Sequence, residues 1–211
     1  MGKIYMTACM KGGCAKTVTT YNLAYSLKEL GKKVLCVDFI SSSMMLSAVD
    51  AKLRLEMGAE KMLSEILEPL RDRYDVIIID TAPTLGALNI NALAAADEVI
   101  ITVNPQLLAM MGLQDFLKTV KKIRSRVNDR LSVAGILLTM CDARTNLCKV
   151  ITEQVRDTFE GQIRIFESRI PNTVKVGESV YYSEPLIEYA PESNATKAYK
   201  NLAKELINYE G

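Results

Sequence analysis

The sequence contains no histidine and no tryptophan. Without histidine there is no imidazole base, no Ser-His-Asp or Cys-His nucleophile system and no His-ligated zinc. Aromatics make up 6% of residues, too few for recognition of single strands by base stacking. Neither sign of charge dominates: 26 Lys and Arg against 25 Asp and Glu give a net charge of +1. Any contact with nucleic acid therefore has to come from a local patch. No apolar run approaches the length of a membrane span, and the opening M-G-K-I-Y-M-T lacks the apolar core of a signal peptide. The five cysteines, Cys9, Cys14, Cys36, Cys141 and Cys148, are odd in number and form no C-x-x-C pair. That argues against a disulfide framework or a metal cluster and for a reducing, cytoplasmic setting. Cys36 lies in an apolar run and reads as a small buried hydrophobe.

What is present is an ordinary globular composition, 49% apolar over 211 residues, which suits a single domain spanning 1–211. Short apolar runs predict strands at 3–9, 33–38, 75–80, 98–103, 132–140 and 163–167. The second, third and fourth are apolar almost throughout, as in parallel strands buried on both faces. Helical periodicity covers about 16–30, 46–70, 87–95, 110–127, 145–160 and 194–209, with Gly31 as a C-terminal stop and Asn194 as a final N-cap. The alternation predicts an α/β fold: a doubly wound, mostly parallel sheet flanked by helices. Ligands of such sheets bind beyond the carboxyl ends of the strands. The chemistry is therefore expected at 9–17, 38–45, 80–86, 103–109 and 140–146.

Residues 11–17 read K-G-G-C-A-K-T between a strand and a helix, the context of a phosphate-binding loop. Gly12 and Gly13 let main-chain N–H groups approach phosphate oxygens at a helix N-terminus. Lys16 supplies a point charge and Thr17 a hydroxyl for magnesium. Met10 and Ala15 occupy both glycine positions of the usual G-x-x-x-x-G-K-[ST] pattern. The bland alternative is a glycine-rich turn with a solvated lysine.

K-G-G-x-x-K-T is the deviant Walker A motif, and here the chain resembles the ParA/Soj/MinD group of P-loop ATPases. Y-D-V-I-I-I-D-T-A-P-T-L-G at 74–86 is similar to its Walker B segment. A-D-E-V-I-I-T-V-N-P at 96–105, L-L-T-M-C-D-A-R-T at 137–145 and I-P-N-T-V-K-V-G-E-S at 170–179 also match. The similarity is greatest to the ParA/Soj partition proteins and covers nearly the whole chain. It implies ATP and Mg2+ as ligands, held between two copies of the chain. Lys11 would be the signature lysine reaching the opposing subunit's nucleotide. Gly12, Gly13, Cys14, Ala15, Lys16, Thr17 and Val18 would line the phosphates, with Cys14 as packing. Ala15 is tolerable there if its backbone is right-handed and costly if φ is positive. Thr17 and Asp80 would hold the metal. Asp142, Pro171 and Asn172 would lie near the adenine, where ordinary turn residues are an equal reading. Lys175 and Lys204 match DNA-binding positions, with Lys197 and Lys200 on the face of Lys204. The resemblance further implies non-specific duplex DNA, a ParB-type centromere-binding protein and a nucleoid-associated location. The tail lacks the amphipathic anchor of a MinD-like membrane role.

One departure bears on activity. Relatives read D-x-D-P-Q after the second strand, whereas this chain reads D-F-I-S-S-S at 38–43. Asp38 keeps the first aspartate, and with Lys11 and Lys16 completes the catalytic set that the resemblance implies. The second, which positions the attacking water, would fall at Ile40. The short interval from Asp38 to Asp80 points to an internal deletion that removes one edge element of the sheet. Charge stabilisation survives and water positioning does not, so slow hydrolysis is expected. Ser41, Ser42 and Ser43 are poor substitutes as a base. A non-enzymatic remnant or scaffold with an inactive nucleotide site is the alternative.

Overall fold

The computed structural model describes residues 1–9, 12–39, 44–53, 56, 58–82, 86–105, 109–142 and 144–208. Within them the chain runs β1 (Lys3–Ala8), α1 (Lys16–Glu29), β2 (Val34–Phe39), α2 (Met44–Leu53), α3 (Met62–Leu67), β3 (Val76–Thr81), α4 (Ala87–Ala95) and β4 (Glu98–Val103). It continues through α5 (Ala109–Arg126), β5 (Ser132–Cys141), α6 (Asn146–Phe159), β6 (Ile165–Pro171), α7 (Val174–Tyr181), α8 (Leu186–Tyr189) and α9 (Asn194–Ile207). The strands form one parallel six-stranded sheet in the order β2-β3-β1-β4-β5-β6. No helix among the described residues is long and apolar enough to cross a membrane.

The period-2 alternation of each central strand feeds two separate cores. Ile4, Met6, Ile77, Ile79, Val99 and Ile101 point to one face, against Leu93 of α4, Phe116 of α5 and Val155 of α6. Tyr5, Ile78 and Ile100 point to the other, against Leu23 and Leu27 of α1 and Tyr199 and Leu202 of α9. β3 and β4 are buried on both faces as their composition predicts, and so is β1. β2 is not: it is the edge strand, and Cys36 is exposed rather than a buried hydrophobe. An apolar run reports that a strand pairs, but not its place in the sheet order.

The 46–70 periodicity is broken. α2 ends at Leu53, Gly58 takes φ 79°, and a single 3-10 turn over Ala59–Lys61 leads into α3. α7 and α8 lie in a stretch for which the sequence predicted no element. Gly31 stops α1 with φ 82°, and the N–H of Lys32 returns to the Leu27 carbonyl at 3.1 Å. Ser193, not Asn194, caps α9, its hydroxyl accepting the Thr196 N–H at 3.1 Å.

A buried arginine ties the lower ends of the strands together. Arg71 grips Asp97 through two bonds of 2.6 and 2.8 Å and donates to the Gly2 carbonyl at 2.9 Å. Asp97 in turn accepts the Ile4 N–H at 2.8 Å. The turn before β3, the start of β1 and the start of β4 thus share one guanidinium, whose side chain is 4% exposed. Truncating one partner strands the other's charge, which costs about 3–5 kcal/mol at a buried pair. Arg71→Ala is expected to lose about that much in urea unfolding, with Arg71→Lys between it and the wild type. A loss below about 1 kcal/mol would show that the pair does not hold the strands.

Candidate functional site: a phosphate loop over a buried aspartate

The carboxyl ends of β1 and β3 converge on the start of α1. After Ala8 the chain turns through Gly12 and Gly13, both exposed, and enters α1 at Lys16. Gly13 takes φ 76°, a left-handed conformation that glycine adopts freely. Among the described residues, a Cβ on either glycine would meet nothing within 4 Å, so the space beside Gly12 and Gly13 is open. Ala15 is the N-cap of α1 and is also left-handed, with φ 57° and ψ 31°. The costly alternative for Ala15 is therefore the one realised.

Beneath the loop, Lys16 is 7% and Asp80 2% exposed. Burial lowers the pKa of Lys16, with the Asp80 charge opposing. Burial likewise raises that of Asp80. The Thr17 hydroxyl, the Lys16 ammonium and the Thr81 N–H offset this, while the Asp38 charge adds to it. Asp80 Oδ1 accepts the Thr81 N–H at 3.0 Å. Asp80 Oδ2 is buried and has no hydrogen-bond partner among the described residues. Asp38, exposed at the end of β2, stands in register with Asp80 across the β2–β3 pairing. An orphaned carboxylate oxygen beside a threonine hydroxyl is chemistry that suits a hard divalent cation. The residues present therefore fit magnesium.

Hydroxyls to which the sequence assigned no role fix this geometry. Thr139 of β5 donates to the Cys14 carbonyl at 3.1 Å and holds the loop from the neighbouring strand. Thr7 and Thr20 meet at 2.6 Å, and Thr81 donates to the Thr7 carbonyl at 2.8 Å. The signal that could have found them is a hydroxyl residue inside an otherwise apolar strand, as in G-I-L-L-T-M. Cys14 does not merely pack: the structure bonds its sulfur to that of Cys9, with the Cα atoms 6.5 Å apart. The tight turn from β1 into α1 brings the two ends of the loop together, which cysteine spacing did not reveal.

The remaining candidates fall into two groups. Asp142 follows β5 and Pro171 ends β6, and the Asn172 N–H donates to the Cys141 carbonyl at 3.0 Å, so these three lie together. Asp142 is already engaged by Arg144 through bonds of 2.9 and 3.0 Å, which hold its carboxyl below the usual range. Lys175 of α7 pairs with Glu178 at 2.9 Å, Lys197 with Glu192 at 3.3 Å and Lys200 with Glu29 at 2.9 Å. Lys204 is exposed on α9. Val18 is half-buried in the first turn of α1. Lys11, Ile40 and Ser41 to Ser43 lie outside the described residues.

A parallel doubly wound sheet, a glycine-rich β1–α1 loop, a lysine and threonine opening α1 and an aspartate ending the next strand define the P-loop class. The AAA domain family AAA_31 matches the chain over residues 2–41 and 37–133. The sporulation initiation inhibitor protein Soj of Bacillus subtilis is 32% identical over 251 positions, covering 98% of this chain and 98% of that protein. The chromosome-partitioning ATPase Soj of Treponema pallidum is 32% identical over 253 positions, covering 100% and 99%. Cobyrinic acid a,c-diamide synthase of Mycobacterium smegmatis, solved with bound ATP analogue and magnesium, shares the fold at TM-score 0.84 and 25% identity, over 99% of this chain and 95% of that one. The chain belongs to the ParA/Soj family of P-loop ATPases.

The same comparisons support the internal deletion. An alignment of 251 positions against 211 residues leaves at least 40 positions (251 less 211) opposite a gap in this chain. The family match breaks at 37–41, where β2 ends.

Replacing Ala15 by glycine removes the Cβ clash of the left-handed backbone, which costs about 1–2 kcal/mol. Part of that gain is offset by the freer unfolded chain. Ala15→Gly is expected to stabilise by about 1 kcal/mol, raising Tm by about 2–4 °C. A lower Tm would show that the loop needs the methyl group.

Proposed function

We propose that the chain, as one ATPase-like domain over 1–211, binds Mg-ATP at the β1–α1 loop and pairs with a second copy around the nucleotide. In that state it would hold duplex DNA as a component of chromosome or plasmid partition, with hydrolysis slow or absent. The observation that carries this reading is Asp80 Oδ2, buried without a partner among the described residues beside Thr17 and Lys16 at the start of α1. The relatives named above support it through the partitioning role in one name and the bound ligands in one structure.

Thr17 and Asp80 would hold magnesium, which supplies positive charge against the phosphates. The N–H groups of residues 12–16 would bind phosphate oxygens, with Val18 behind them offering no hydroxyl. Lys16 would keep its proton once phosphate oxygens replace lost solvent. Lys11 would reach the nucleotide of the second copy. Asp38 would stand beside Asp80 at the metal site, and with Ile40 in place of the second aspartate no side chain would position the attacking water. Asp142, Pro171 and Asn172 would border the adenine. Lys175 and Lys204 would contact DNA phosphates, and the surface bridge of Lys175 costs little to open. The partner would be a ParB-type centromere-binding protein, at the nucleoid and without a membrane. Ile40 and the shortened chain favour the second reading, a remnant with an inert nucleotide site.

Light scattering with Mg-ADP and with Mg-ATP separates the two readings. A dimer that forms with Mg-ATP, persists, and is abolished in Lys16→Ala is expected; a monomer under all conditions favours the remnant. Because burial lowers the Lys16 pKa, its ammonium is lost at a pH below the ordinary 10.5. Nucleotide affinity is accordingly full below that lowered pKa and falls as pH rises through it. Lys16→Arg should flatten this profile, and a wild-type profile level up to pH 10.5 would refute the link.

Retention on duplex DNA should require Mg-ATP and weaken steeply with salt. The double variant Lys175→Glu/Lys204→Glu should shallow the salt slope by about 1 for each lysine that no longer meets a phosphate. An unchanged slope would place the DNA surface elsewhere.

A further inference from the structure

We propose that the second half of α5 is a separate surface for duplex DNA, on the far side of the sheet from α9, so that one chain can hold two DNA segments. The α5 surface stands on its own residues, and the linking of two segments rests on the DNA reading above. Residues 118–130 carry six basic side chains, Lys118, Lys121, Lys122, Arg124, Arg126 and Arg130, and one acidic, Asp129. That is a net +5 in a chain whose total is +1, so the remainder of the chain is net negative. A patch of this kind sets a local field that the overall balance hides. All seven side chains belong to exposed residues. Lys118 pairs with Asp115 at 2.9 Å, and Arg130 reaches Glu68 only at 3.9 Å. Lys121, Lys122, Arg124 and Arg126 form no ion pair among the described residues.

Lys118, Lys121, Lys122, Ser125 and Arg126 follow spacings of three and four and so share one face of α5. The opposite face, with Leu113, Phe116, Val120 and Ile123, is buried in the core. Helix formation alone does not call for this row. Arg124 and Arg126 lie in the last turn, where cations offset the helix dipole, but that effect does not reach Lys118, Lys121 and Lys122. Lys118 with Lys122, and Lys122 with Arg126, are like-charge pairs four apart, which weaken a helix. The row costs the fold and gains nothing inside the chain, as expected of a surface whose partner is an external polyanion.

Two features favour duplex phosphates over an anionic membrane. A helix rises about 1.5 Å per residue, so the row from Lys118 to Arg126 spans about 12 Å, the axial length of about three or four phosphates of one strand. A helix that lies on a membrane sinks an apolar face into it, whereas the apolar side chains of this half of α5 are packed against the core. The guanidinium groups of Arg124 and Arg126 add paired, planar donors that suit phosphate oxygens. α5 packs on the face of the sheet that holds Leu93 and Val155, and α9 with Lys204 packs on the other. The two basic surfaces therefore lie on opposite sides of the sheet. A row of four cations gives weak binding that low salt reveals, so retention at physiological salt still falls to the Mg-ATP state.

The test uses the full chain without nucleotide at low salt, with a fluorescein-labelled duplex of mixed sequence read by anisotropy. Lys121→Gln/Lys122→Gln is expected to shallow the slope of log affinity against log salt by about 2, about 1 for each lysine. Lys121→Arg/Lys122→Arg should keep the wild-type slope. Thermal unfolding of the Gln variant at or above the wild-type Tm is expected, because like-charge pairs are relieved. An unchanged slope in the Gln variant overturns the surface. A slope that responds only to Lys175→Glu/Lys204→Glu also overturns it and leaves the DNA reading above standing. A slope that falls in the Gln variant while Mg-ATP adds nothing to retention supports the surface and overturns the nucleotide-dependent reading alone. Flotation with phosphatidylserine vesicles addresses the membrane: wild-type flotation lost in the Gln variant, with the duplex slope unchanged, assigns the face to lipid and overturns the proposal. Linking is read in Mg-ATP by capture of a labelled duplex on beads that carry a second one. The wild type is expected to capture it, and the Gln variant to bind the bead duplex but capture several-fold less. Equal capture by the two overturns the linking.

Discussion

The site depends on a lysine and an aspartate buried within one loop of each other. Asp80 ends a strand buried on both faces, and Lys16 opens the helix packed against that face. Each charge loses solvent and is only partly repaid by the other, as the opposed shifts of their pKa values show. A fold held for stability alone would replace such a pair with apolar groups. The parallel sheet brings the carboxyl ends of β1, β2 and β3 level, so Asp38 and Asp80 stand in register on neighbouring strands.

The loop above this pair is held by hydroxyls and sulfur more than by its own residues. Thr139, Thr7, Thr20 and Thr81 link four elements behind it through hydrogen bonds of ordinary length. The first half of α1 is anchored differently. Asn22 accepts the Leu186 N–H at 3.0 Å, and the buried Tyr199 hydroxyl lies 3.4 Å from that of Thr19. α9, the helix that carries Lys204, therefore packs on the helix that begins with Lys16 and Thr17. The two surfaces proposed to take nucleotide and DNA share a rigid helix pair.

Much of this was legible in the sequence because it follows from local pattern. I-I-I-D announces a buried strand with a charge at its end, and K-G-G-C-A-K-T announces a glycine-rich turn from a strand into a helix. D-F-I-S-S-S announces the missing segment, because the resemblance sets the length expected there. Other features depend on what becomes adjacent in space. The strand order that leaves β2 at the edge, the meeting of Cys9 with Cys14 and the hold of Thr139 on the loop are of that kind. Ala15 is intermediate. Its two backbone options and their costs follow from the residue type, and only the fold selects between them. The break in the 46–70 pattern turns on Gly58, whose left-handed φ cannot be told from a tolerated helical glycine by periodicity.

The position of β2 has a consequence for how the chain behaves in company. The hydrogen bond from the Val76 N–H to the Lys33 carbonyl sets the phase of the β2–β3 pairing. It directs the main-chain groups of Val34, Cys36 and Asp38 away from β3. No described strand lies on that side. Between Val34 and Phe39 there is no proline, no lysine and no bulge, the devices by which natural sheets blunt an open margin. A chain shortened at this point gains an open border, and its tendency to pair with other chains at high concentration turns on these six residues, of which Asp38 stands beside Asp80.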